Sequence, residues 1–170
     1  MSIRVLTFSL LLLLTVTTGF AEEAPLAVYQ LKIFDYQLGM SYDEAISARA
    51  FHYTVYPEEN RAIGIINSAY IEDVEFSTSV YFHDDRVFKI IGRFDPQHFD
   101  EVTQSLVKAI GAGENLSKTF NALNGTRIAQ QLYQWHYPGA RIYLISSSNN
   151  VEFATLSMMD STFTESEKTP

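Results

Sequence analysis

Four histidines, His52, His83, His98 and His136, are the side chains in this sequence best suited to proton transfer or metal binding. No two stand at the spacing of an H-x-x-x-H or H-E-x-x-H pair, which would put two ligands on one helix face. The chain has no cysteine, so a zinc set lacks donors at workable spacing, and neither a metal nor a cofactor is expected. His83-Asp84-Asp85, with Glu72 and Asp73 one strand earlier, gathers carboxylates near a rim. Acidic ligands alternating around a glycine, as a calcium loop needs, are absent, and short polar side chains of this kind suit a solvated hairpin tip. Serines are numerous, yet there is no G-x-S-x-G elbow, and Ser146, Ser147 and Ser148 stand at an expected turn. A Ser–His–Asp triad would have to be assembled in the fold alone. No phosphate-cradling glycine motif occurs, and Gly111-Ala112-Gly113 follows a helix rather than opening one. No catalytic residue is therefore assigned, and the chain is expected not to be an enzyme.

One set of residues points to binding. Tyr133, Trp135 and Tyr137 recur at a spacing of two, so they share one face of a strand while Gln134 and His136 share the other. A row of amphipathic aromatics can grip a partner protein, a peptide or a sugar. The same row could instead pack beneath a helix, because large aromatics serve cores first. Both readings stand at the level of sequence. The polar stretch Glu114 to Arg127 is long for a loop in a compact domain, which makes it a second place to look.

These residues must be positioned by a framework, and its clearest part is Val74 to Phe94. Val74, Phe76, Thr78, Val80 and Phe82 alternate with Glu75, Ser77, Ser79 and Tyr81, the period of a half-buried strand. A reversal at His83–Asp85 leads to a second strand, expected to carry Phe88, Ile90 and Phe94 on one face and Val87, Lys89, Ile91 and Arg93 on the other. Earlier, Tyr29, Leu31 and Ile33 suggest a first strand. Ser41 with Glu44 three residues on forms a capping box for a short helix from Tyr42 to about Ala50. Phe51–Tyr56 and Ala62–Tyr70 read as strands, with Gly64 a candidate bulge. Asp95-Pro96 opens a second helix in which Phe99, Val102, Leu106 and Ile110 recur at helical spacing before Gly111 and Gly113 end it. The stretch 114–127 reads as irregular, with a single helical turn near Lys118–Leu123. Three more strands follow, Leu132–Tyr137, Arg141–Ser146 and Val151–Met159, with Pro138-Gly139 at the centre of a type II turn. Residues 160–170 read as a disordered tail.

The first residues are set apart from the fold. Arg4, an apolar run from Val5 to Val16, and Gly19-Phe20-Ala21 follow the three-part pattern of a secretory signal peptide over residues 1–21. Its removal leaves about 150 residues, enough for one ordinary domain, read as 22–159 in two halves at about 22–94 and 95–159. The full chain of 170 residues carries a net charge of −8, which argues against nucleic acid and, more weakly, against anionic lipid. No second long apolar run suggests a stable membrane insertion. Stability must come without disulfides, and 12 Phe and 10 Tyr supply the apolar area. Asn115-Leu-Ser117 and Asn124-Gly-Thr126 are sequons that matter only on a eukaryotic route. The expected destination is the periplasm or the extracellular space.

A helix followed by antiparallel strands occurs twice. The expected fold is thus α+β, with two antiparallel β-meanders of three or four strands, or one continuous sheet, and both helices on one face. Leu38-Gly39-Met40-Ser41-x-x-Glu44-Ala45 ahead of a short helix resembles the opening of small exported bacterial domains of the SmpA/OmlA (BamE-like) type. The element order is similar to that of tandem-repeat β-lactamase-inhibitor proteins. The chain departs from the former in lacking a lipidated cysteine and from the latter in lacking disulfides. The resemblance implies the architecture and a protein-binding role, with another envelope or secreted protein as partner, and carries over no site residue. The alternatives are an inhibitor of a secreted enzyme and a secreted hydrolase with a site assembled only in the fold.

Overall fold

A computed structural model of the chain describes residues 31–148 and 150–163. The leader read over residues 1–21, Tyr29 of the expected first strand and the tail from 164 onward lie outside them. A short helix, α1 (Tyr42–Ala48), precedes four strands, β1 (Tyr53–Glu58), β2 (Arg61–Ile71), β3 (Val74–His83) and β4 (Arg86–Phe94). A 3-10 turn (Pro96–His98) then leads into helix α2 (Phe99–Ile110). Two short strands follow, β5 (Glu114–Asn115) and β6 (Lys118–Asn121), then three long ones, β7 (Arg127–Tyr137), β8 (Ala140–Ser147) and β9 (Asn150–Asp160).

All pairings are antiparallel and form one nine-stranded sheet in the order β1-β2-β3-β4-β9-β8-β7-β5, with β6 also pairing β7. The two meanders expected from the sequence are therefore continuous. Each half contributes its last strand to the centre, where β4 meets β9 from Lys89↔Met159 to Phe94↔Ala154. Cross-strand partners point to the same face. One face collects the rows Gly64–Val80–Ile90–Met158–Ile142–Trp135 and Ile66–Thr78–Gly92–Leu156–Leu144–Tyr133. Ala45 of α1 and Phe99, Val102 and Leu106 of α2 join this same buried cluster, so both helices cover one face of the sheet.

Local chemistry explains the ends of the elements. Ser41 Oγ accepts from the Glu44 N–H at 3.2 Å, and a Glu44 carboxylate oxygen accepts from the Ser41 N–H at 2.8 Å, completing the capping box. Asp95 Oδ1 accepts from the Gln97 N–H at 2.9 Å. The hairpin reversal places Asp84 and Asp85 at φ 46° and 61°, the left-handed pair of a type I′ turn, which Asp tolerates better than most residues. Gly139 has φ 76°, as its place in a type II turn requires.

Several expectations change. The expected first strand is reduced, within the described residues, to a bridge Ile33↔Tyr36 around a turn with Phe34 and Asp35 at φ 56° and 75°. Helix α1 ends at Ala48, short of Ala50. Gly64 sits in regular register opposite Thr54 and Val80, and is no bulge there. A Cβ on it would lie 2.6 Å from the Phe51 ring, so glycine leaves room for that ring on the covered face. Along β4 the register shifts opposite Tyr81 and Phe82 of β3, which pair Lys89 and Val87 and leave Phe88 between them. This bulge turns Val87 inward with Ile90 and Phe94, and puts Phe88 on the other face, against the expected pairing of faces. The stretch 114–127 holds β5 and β6 instead of a helical turn, because both find free backbone partners along the edge of β7.

Candidate binding face

The aromatic row Tyr133–Trp135–Tyr137 lies on the helix-covered side. Trp135 is 4 % exposed, and its indole N–H donates to the Gly111 carbonyl at 2.8 Å, closing the end of α2. Gly113 passes directly over the ring: a Cβ there would be 2.5 Å from the indole. Tyr133 is half-buried between Phe99 and Trp135, with ring centroids at 6.2 and 6.1 Å, and Tyr137 packs against the same cluster. The partner-facing role expected for these three residues is corrected for Trp135, whose surface is spent on the core. A period of two identifies which residues share a face; it does not say which face a helix will cover.

Among the described residues no helix lies on the opposite face of the sheet. Three rows cross it. The first runs Val55–Ile63–Tyr81–Lys89–Met159–Arg141–His136, the second Tyr53–Ile65–Ser79–Ile91–Ser157–Tyr143–Gln134, and the third Ser77–Arg93–Thr155–Ile145–Leu132. Phe88 joins them through the β4 bulge, and Phe153 lies under the Arg93 guanidinium at 4.8 Å. Tyr81 stands below Lys89 Nζ at 5.9 Å from the ring centroid. Most of these apolar side chains are half-exposed, and Tyr53 and Val55 at the β1 edge are 55 % and 46 % exposed. Such a breadth of apolar and aromatic side chains on a solvent-facing sheet departs from the usual apolar-in, polar-out alternation.

The chain returns to this face after β9. Asp160 Oδ1 accepts from both the N–H and the hydroxyl of Thr162 at 2.7 Å, and the Ser161 N–H donates to the Gly139 carbonyl at 3.0 Å. The turn so formed lays Phe163 on Phe88, with ring centroids 4.2 Å apart, and edge-on to His83 at 5.4 Å. The expected disordered tail, residues 160–170, is instead held by these contacts as far as Phe163.

Histidine chemistry finds no shared centre. His83 Nδ1 lies 3.1 Å from Asp84, His98 Nδ1 3.0 Å from Glu101, and His136 Nε2 2.7 Å from the Gln134 amide, while His52 Nδ1 accepts from the Asn67 N–H at 3.2 Å. These are local partners, none of them a serine. Among the described residues no three His, Asp or Glu side chains stand close enough to hold a metal ion, and no helix is long and apolar enough to cross a membrane. At the α1 side, Tyr42, Tyr56 and Thr54 join hydroxyls at 2.8 and 3.2 Å beside a cleft of about 220 Å³. The Tyr56 phenol is held above the usual tyrosine range, chiefly by its bond to Tyr42 and then by burial. Burial likewise pushes Tyr36 up, and its hydroxyl donates to the Arg49 carbonyl at 2.7 Å.

No protein-family model matches the chain, and neither does a curated protein or a solved structure. The site therefore rests on its own geometry. Two signals for the outer face were present in the sequence: Ile63 with Ile65, and Tyr143 with Ile145, alternate with the core positions instead of polar residues. An apolar run of this kind reads equally as a strand buried on both faces, which hid its exposure.

Proposed function

We propose that this protein is an exported binding module of the periplasm or extracellular space that docks another envelope or secreted protein on the uncovered face of its sheet. The observation that carries the reading is that face: half-exposed Ile63, Tyr81, Ile91, Tyr143 and Ile145 in continuous rows that, among the described residues, no helix covers. Rigid strands present these side chains at fixed spacing, so little ordering entropy is lost on docking. Tyr and Ile contribute the apolar area, and the interspersed Ser, Thr and Gln rows supply hydrogen-bonding groups that need no desolvated charge. The resemblance in element order to exported assembly and inhibitor domains agrees with a protein partner. An inhibitor of a secreted enzyme is the same reading with a particular kind of target.

The test compares three forms of the chain in capture from an envelope extract: wild type, the double variant Tyr81→Asp with Tyr143→Asp, and Val107→Asp on the exposed side of α2. A defined protein retained by wild type and Val107→Asp but lost from the double variant is expected. Equal recovery by all three forms, or turnover of ester, peptide or glycoside substrates by the wild type, would count against the reading.

A further inference from the structure

The middle of the uncovered face carries cations on an acidic protein. From β1 to β4 and β9 to β7 none of the positions in its three rows is Asp or Glu, and Glu114 continues the second row only at the β5 edge, opposite Gln134, although the chain holds 20 Asp and Glu against 12 Lys and Arg. Lys89 and Arg141 flank Met159 in one row, so they stand about two strand spacings, roughly 10 Å, apart. Neither has a carboxylate within ion-pair distance among the described residues. Four cations elsewhere are matched: Arg49 with Asp35, Arg61 with Glu58, Arg86 with Glu44, Lys108 with Glu72. The face carboxylate beyond the third row, Glu75, is taken up by the Ser68 hydroxyl.

A second observation shows what such a face accepts. Phe163, the last described residue, already lies on it, stacked on Phe88 and edge-on to His83. In sequence this phenylalanine is flanked by Asp160, Glu165 and Glu167. An aromatic ring borne on an acidic stretch is thus seated on this face by the chain itself, against the residue that precedes Lys89.

Resting on the docking reading above, we infer that the partner is a protein presenting an acidic segment with an aromatic side chain, its carboxylates meeting Lys89 and Arg141 and its ring meeting Met159 between them. Close charge pairs across such a contact set register and steer association. Anionic polysaccharide or lipid is disfavoured. Both are polyanions that need dense cations, while this face spreads its few among apolar residues on a chain of net charge −8. The tail bearing Phe163 then competes with the partner for the same patch.

The experiment uses fluorescein-labelled random copolymer of Glu and Tyr as the probe, with poly-Glu, dextran sulfate and vesicles of phosphatidylglycerol as comparators. Binding is read by anisotropy, or by co-sedimentation for vesicles, at low and high salt. The copolymer is expected to bind at least tenfold tighter than poly-Glu and to weaken at least tenfold between about 50 and 500 mM salt, as surface charge contacts do. Lys89→Glu with Arg141→Glu is expected to abolish binding, and Phe163→Ala to tighten it. Emission of the single Trp135, buried on the opposite side, verifies that each variant is folded. Copolymer binding no tighter than poly-Glu, or unchanged by charge reversal, overturns the inference, as does stronger binding of dextran sulfate or vesicles. Loss of partner capture in the Tyr81/Tyr143 variant but not in the Lys89/Arg141 variant would leave the docking face standing and remove only its acidic partner.

Discussion

Gly113→Ala tests the packing that takes Trp135 away from solvent. The added methyl would stand 2.5 Å from one indole carbon and 2.8 Å from two others. Carbon atoms in contact prefer about 3.5–4.0 Å, so the ring or the loop must yield by about 1 Å or more. The ring has little room, being 4 % exposed, stacked on Tyr133 and tied to the Gly111 carbonyl at 2.8 Å. Overpacking of this kind costs about 1–3 kcal/mol, and losing the indole hydrogen bond adds about 1 kcal/mol. The sum, about 2–4 kcal/mol, corresponds to a fall in Tm of roughly 4–16 °C for a domain near 150 residues. Urea unfolding followed by Trp emission gives the free energy, and acrylamide quenching of the native state reports the ring. Gly113→Ala is expected to red-shift the emission and raise the quenching constant. Gly125→Ala is the control: φ there is 82° and nothing lies within 4 Å of the new methyl, so backbone strain alone acts and the indole is untouched. A Gly113→Ala protein with native emission and stability within about 0.5 kcal/mol of wild type would refute the placement of the indole beneath the loop.

Thr78 is fully buried, and its hydroxyl has no hydrogen-bond partner among the described residues, so Thr78→Val should raise the urea midpoint, by about 1 kcal/mol in stability. Tyr36 has its phenol pushed above the ordinary range, so its contribution is complete below the unfolded value of about 10 and is lost as pH rises through the folded one. Tyr36→Phe should therefore flatten the alkaline decline of stability while costing the bond to the Arg49 carbonyl, checked by thermal melts across pH. The Glu44 carboxyl is held below its usual value, first by the Ser41 backbone N–H. Its contribution is present above the unfolded pKa and lost as pH falls through the folded one, so Ser41→Ala should weaken α1 and reduce that acid-side loss.

Much of the framework was legible because local rules acted without competition. Val74–Phe82 alternates strictly, and β3 buries every second residue as that pattern demands. The Ser41/Glu44 box marked the start of α1 and Asp95-Pro96 the 3-10 turn that leads into α2 at Phe99, since orphan N–H groups at a helix end must be met by whichever side chains stand there. Phe88 was misassigned because a bulge adds one residue to a strand and reverses its faces, and only the partner strand reveals it. Residues 114–121 were misread because polar strands of two and four residues hold their shape through β7, from a distance in sequence.

By itself the sequence determined the leader-like first residues, the acidic balance, the lack of cross-links and the alternation that makes most of the long strands. These follow from composition and from the two-residue period, which any isolated stretch displays. The tertiary structure alone decided that the two strand sets join through β4 and β9, that both helices lie over one side, and hence that Trp135 is interior while Tyr81, Lys89 and Tyr143 face outward. Alternation divides a strand into two faces of equal standing; only the placement of a helix, fixed by contacts between residues far apart in the chain, makes one of them the core.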